Sequence, residues 1–208
     1  MKLAVLDYGI GNLRSAQKAF EHVGADARLT SDLTEIGAAD AVVLPGVGAF
    51  GACVDALAAS GLGEVALSVI ADGRPFLGIC VGMQLLYASS DEDPTHRGLC
   101  VFDRGIHLLS GDVKRPQMQW NRLVVAPGAE THPMFAGIED PWVYFVHSYA
   151  AESGPEVVAT CDYGGPVTAA VARNNVWATQ FHPEKSAADG LAILANFVRW
   201  AARYEAAA

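Results

Sequence analysis

In the first half of the chain, short apolar runs alternate with stretches whose apolar residues recur every three or four positions. KLAVLD (2–7) reads as a strand, and from Asn12 to Val23 the residues Leu13, Ala16, Phe20 and Val23 share one helical face. DARLT, DAVVLPG (40–46), helical patterns at 50–60 and 62–72, and PFLGIC (75–80) continue the alternation. Strands buried on both faces and joined by helices predict an α/β fold with a mostly parallel sheet. The second half changes character: short runs at 105–109, 122–126, 142–146, 156–161, 167–172 and 175–181 are punctuated by Gly, Pro and Asn. These predict added, partly antiparallel strands. A helix from Ser186 to Trp200 follows, and the terminal alanines are expected to fray.

Composition narrows the function classes. With 208 residues, 51% of them hydrophobic, residues 1–208 are expected to form one domain. A net charge of -9 without any Lys or Arg run argues against nucleic acid as a partner. Asp7 interrupts the apolar start, so no signal peptide is expected, and no segment has the length of a membrane span. Cys53, Cys80, Cys100 and Cys161 form no CxxC pair, which fits reduced thiols in a cytoplasm. No metal site is indicated, since His22, His96, His107 and His132 stand in polar or helical contexts without HxH or HxxxH spacing.

The sharpest chemical signal is PFLGICVGMQLL. A buried-looking strand runs into a helical pattern with Cys80 at the junction and Gly78 and Gly82 two residues to either side. This is the spacing of a nucleophile elbow, where glycines let neighbouring backbone pass the strained central residue. The helix start would favour thiolate over thiol. Cys53, Cys100 and Cys161 are not flanked by glycine on both sides and read as structural.

A thiolate nucleophile needs a base. In WATQFHPEKS, His182 follows a β-rich run and Glu184 stands two residues on; alternation along an extended segment sends both side chains the same way. His147 in YFVHSY is the rival base, with no carboxylate within four residues. LPGVGAFG contains Gly46, Gly48 and Gly51 in a GxGxxG pattern that would suggest dinucleotide binding. The following strand, however, ends in the elbow and not in a ribose-binding acid. The Gly46-Val47-Gly48 turn reads instead as a source of oxyanion-binding N–H groups beside that of Val81, or as an ordinary strand-to-helix turn.

PGVGAF, GICVGMQ and QFHPEKS, in this order and at these separations, resemble the class I (triad) glutamine amidotransferases. DYGIGNLRS, YFVHSYAAE and the Lys185-Ser186 extension are similar, more narrowly, to the glutaminase subunits of imidazole glycerol phosphate synthases. The resemblance covers nearly the whole chain. It implies a flavodoxin-like sheet, a Cys80–His182–Glu184 triad and glutamine held by Gly48, Gln84 and the Ser148-Tyr149 backbone. Val47, Gly48 and Val81 fall in the oxyanion region. No cofactor is implied. Ammonia would pass to a cyclase partner with a (β/α)₈ barrel, met through Asn12, Trp120 and Lys185. A core position for Trp120 is the competing expectation. The family's HMGWN segment is here Gln117-Met118-Gln119-Trp120-Asn121, a departure that bears on partner contacts and not on chemistry. Related enzymes of anthranilate, guanylate or pyridoxal phosphate synthesis fit DYGIGN and HPEKS less well. A non-catalytic module fits the intact triad poorly, and PfpI-like hydrolases would carry His where Val81 stands.

Overall fold

The computed structural model describes residues 1–204; the fraying expected of the terminal alanines lies outside them. The first half runs β1 (Lys2–Leu6), α1 (Leu13–His22), β2 (Asp26–Thr30), α2 (Leu33–Gly37), β3 (Ala41–Gly46), α3 (Phe50–Ala59) and α4 (Leu62–Ala71). It then reaches β4 (Phe76–Cys80), the single turn α5 (Val81–Gln84) and β5 (Tyr87–Ser90). The remainder comprises β6 (Phe102–Leu108), β7 (Gln117–Arg122), β8 (Val124–Val125), β9 (Trp142–His147) and β10 (Tyr149–Ala151). Strands β11 (Val157–Asp162), β12 (Pro166–Arg173) and β13 (Val176–Thr179) precede α6 (Ala187–Ala201).

The main sheet has the order β2-β1-β3-β4-β13-β12-β11-β8. Its first five members are parallel, and β12, β11 and β8 extend it antiparallel. Every residue of β3 and β4 is buried, as the uninterrupted apolar runs VVL and FLGI require of strands covered on both faces. Against this sheet, Phe20 of α1 meets Phe197 of α6 edge-on at 6.2 Å, and Trp177 of β13 stacks on Trp200 at 4.5 Å. Such aromatic pairs contribute about 0.5–1.5 kcal/mol each beyond their burial. Among the described residues, no single helix is long and apolar enough to cross a membrane.

Three expectations need correction. The run at 122–126 is not one strand. The chain changes sheets at the buried Leu123, so β7 pairs with β9 in a separate ribbon while β8 joins β11. The segment after Cys80 makes only one helical turn, because residues 81–87 are all buried and no solvent-facing stripe sustains a longer helix. The last run stops at Thr179 and not at residue 181, leaving His182 three residues beyond the strand.

Candidate active site

Strands β4 and β13 lie side by side and parallel, with Ala178 opposite Gly78 and Thr179 opposite Ile79. Their carboxyl ends therefore deliver Cys80 and His182 to one place, although 101 positions separate them in sequence. Cys80 has φ 55° and ψ -113°, a conformation an L-residue adopts at a cost of about 1–3 kcal/mol. The flanking glycines allow it by close approach. A Cβ on Gly82 would stand 1.8 Å from the Leu44 carbonyl oxygen, and one on Gly78 would stand 2.8 Å from the Gly82 oxygen. Gly46 continues the same contact, since its Cβ would lie 2.7 Å from the Gly82 nitrogen. The elbow is thus wedged against the end of β3. Because α5 is a single turn, its dipole is small.

His182 opens a 3-10 turn over Pro183–Lys185. Its link to Glu184 is therefore made by that turn and not by strand alternation: Pro183 starts the turn and folds the carboxylate back to the ring. His182 Nδ1 donates to Glu184 Oε1 at 2.8 Å, with both side chains at most 3% exposed. That bond leaves Nε2 for the sulfur. Nε2 makes no closed hydrogen bond here, which is common for catalytic pairs before substrate binds. Burial opposes the charged ring, but Cys80 and Glu184 outweigh it and raise the His182 pKa from 6.5 to about 9. The turn is tied to β9 from both ends. His182 N–H donates to the Tyr144 carbonyl, Ser186 Oγ–H to the His182 carbonyl at 2.6 Å, and Tyr144 N–H to Ser186 Oγ at 2.9 Å.

A cleft of about 410 Å³ opens beside these groups. Val47, Gly48, Val81, Gln84, Ser148 and Tyr149 line it together with Cys80 and His182, and Asn12 and Lys185 stand at its border. Val81 N–H begins a helix and has no intrahelical acceptor. The Val47 carbonyl accepts from the buried Cys53 thiol at 3.5 Å, so the trans peptide turns Gly48 N–H away from Cys53. Gln84 Nε2 donates both to the Tyr149 carbonyl and to Gln180 Oε1, and Gln180 Nε2 reaches Cys80 Sγ at 3.8 Å. Trp120 is not in the cleft. It lies 45% exposed on the ribbon, edge-on to Tyr144, which rules out the core position for it.

His147 also lines the cleft, but its ring is tied to the Tyr149 carbonyl and is not paired with a carboxylate. Burial, assisted by the His182 charge, lowers its pKa from 6.5 to about 4 despite an Nδ1–H bond to the Tyr149 carbonyl at 2.8 Å. It is a neutral ring bracing the Ser148-Tyr149 wall. Two residues at the site escaped the sequence reading. Gln180 stands fully buried, and a glutamine inside the apolar run WATQF was a usable signal for it. Glu92 lines the cleft and accepts from Phe50 N–H at 2.8 Å, yet within SSDEDPTHR nothing distinguishes it from its acidic neighbours.

Residues 4–200 match the family model described as glutamine amidotransferase class-I. A relative from Methanothermobacter thermautotrophicus, named imidazole glycerol phosphate synthase subunit HisH, is 49% identical across 94% of this chain and 97% of its own length. A protein of the same name from Mesorhizobium japonicum is 47% identical across 96% of this chain and 99% of its own. Among solved structures, one described as a glutamine amidotransferase superimposes with a TM-score of 0.76 at 18% identity, covering 96% of this chain and 98% of that one. A structure of PurLQS from Thermotoga maritima gives 0.70 at 19% identity, covering 96% and 98%. At those identities the structural likeness establishes the fold. The near-complete sequence match establishes more: this chain belongs to the class I glutamine amidotransferase family.

Proposed function

We propose that the chain is the glutaminase subunit of an imidazole glycerol phosphate synthase, releasing ammonia from glutamine with Cys80, His182 and Glu184. The observation that carries this reading is the strained thiol beside a buried His–Glu pair, in a chain nearly half identical to relatives bearing that name. Cys80 thiolate attacks the side-chain amide carbon, and the N–H groups of Val81 and Gly48 receive the charge that develops on oxygen. His182 imidazolium gives its proton to the departing nitrogen, so ammonia leaves and a glutamyl thioester remains. Water, deprotonated by the now neutral His182, attacks the thioester; glutamate departs and the thiolate returns. No cofactor enters these steps.

Recognition follows from charge. Glu92 is the one carboxylate among the residues bordering the cleft and suits the α-ammonium of the amino acid, while the Ser148-Tyr149 backbone holds its far side. The ammonia is used by a partner protein, a cyclase with a (β/α)₈ barrel. It docks where Asn12 and Lys185 edge the cleft and where Trp120 and Met118, 45% and 60% exposed, project from the ribbon. Gln117 cannot alter that contact directly, since it is fully buried and donates to Cys161 Sγ at 3.7 Å. We place the protein in the cytoplasm, acting as one amidotransferase domain over residues 1–208. The test is turnover by the assembled complex. Cys80→Ala abolishes the glutamine-driven reaction and leaves the ammonium-driven one intact; loss of both would make Cys80 structural.

A further inference from the structure

Gly51, the third glycine of the GxGxxG pattern, has no part in the triad or the oxyanion turn. Its φ is not positive, so conformational freedom is not why glycine stands there. Close approach is. A Cβ on Gly51 would lie 2.2 Å from Asp93 Oδ2 and 3.0 Å from His96 Nδ1. The turn segment 91–96 therefore rests directly on the first helical turn of α3. It is fastened there by a row of polar contacts. His96 Nδ1 meets Asp93 Oδ2 at 2.8 Å and His96 Nε2 meets Asp55 Oδ1 of α3 at 3.2 Å. Thr95 Oγ1–H donates to Asp93 Oδ1 at 2.6 Å. The hydrogen bond accepted by Asp93, and after it the charges of Asp93 and Asp55, raise the His96 pKa against the opposing effect of desolvation.

The same segment carries Glu92 into the cleft, where its Oε2 also accepts the Phe50 N–H that opens α3. We infer that His96, clasped between Asp93 and Asp55 over Gly51, is a positioning residue for substrate: it holds segment 91–96 on α3 and so fixes Glu92 where the α-ammonium binds. The inference rests on the proposed glutamine cleft. Its reach is binding and not chemistry, because no member of the clasp touches Cys80, His182 or Glu184.

The experiment compares wild type, His96→Ala, Gly51→Ala, Glu92→Gln and the His96→Ala/Glu92→Gln double variant. Glutamine kinetics are measured on the assembled complex, and amide hydrogen exchange on the full chain alone. Exposed ion pairs of this kind are modest, so His96→Ala and Gly51→Ala are expected to raise KM for glutamine by about three- to tenfold with kcat within about twofold. Exchange over 91–96 accelerates in both. In the Glu92→Gln background, His96→Ala adds no further change in KM, since the group through which it acts is gone. An equal KM effect in both backgrounds overturns the positioning role. Unchanged exchange over 91–96 in His96→Ala overturns the clasp itself, whatever the substrate proves to be. Absence of glutamine hydrolysis by wild type would count against the cleft assignment and, with it, against a role for His96 in substrate binding.

Discussion

Replacing Glu184 with glutamine removes a single negative charge from a site where the carboxylate is 3% exposed and 2.8 Å from His182 Nδ1. The His182 pKa, raised from 6.5 to about 9, reflects a preference for imidazolium on the order of 3 kcal/mol, the balance of Cys80 and Glu184 against burial. A raised histidine contributes fully below its unfolded value of 6.5 and loses that contribution as pH climbs through about 9. Loss of a close opposite charge moves such a group by about one to three units, so in Glu184→Gln the imidazolium is lost nearer neutrality. Above that point each further unit of pH reduces the protonated share by about tenfold. Geometry adds a second cost. Oε1 must still accept from Nδ1–H, which leaves the new amide NH₂ at the buried Oε2 position, where no partner exists. An unsatisfied buried donor destabilises by about 1–3 kcal/mol. The assay is the pH profile of kcat/KM for glutamate release, with a denaturant titration alongside. Wild type holds its activity to near pH 9, whereas Glu184→Gln falls at lower pH and unfolds earlier. Coincident alkaline limbs would refute the claim that Glu184 holds the proton on His182.

A glutamine-analogue electrophile is expected to label Cys80 alone among the four cysteines, as read by peptide mass spectrometry; labelling shared with exposed Cys100 would undo the elbow assignment. Gly82→Ala puts a methyl group 1.8 Å from the Leu44 carbonyl oxygen, where backbone must give way. It should cost about 3 kcal/mol in unfolding free energy, and an unchanged denaturation midpoint would contradict the wedged elbow. Trp120→Ala should weaken association with the proposed cyclase partner by about 2 kcal/mol or more while the isolated chain melts within a few degrees of wild type. Calorimetry giving unchanged affinity would remove Trp120 from the interface.

Legibility in the sequence followed burial. Strands β3 and β4 are covered on both faces, so their apolar runs are continuous and their ends fall where the helices begin. Cys80 stood out because steric exclusion on both sides demands glycine, a constraint that leaves a mark in one dimension. The ribbon left a weaker mark: QMQWNR has two apolar members, and both are exposed. The distance between His182 and Glu184 was anticipated for the wrong reason, since proximity at two residues arises in a 3-10 turn as well as along a strand. Glu92 was illegible because its position depends on where segment 91–96 comes to rest on α3, a tertiary contact that no local pattern encodes.

The placement of β13 beside β4 bears on the order in which the protein becomes reactive. The elbow is built from β3, β4 and α5, pieces of the first half, whereas His182 follows a strand synthesised about a hundred residues later. Closing so long a loop is slow, and pairing of distant parallel strands is a late event in folding. A nascent or proteolytically shortened chain lacking β13 and the turn after it retains Cys80 but not His182 or Glu184. On the proposed triad, hydrolytic competence would then await the seating of the last strand, and unfinished molecules would not consume glutamine.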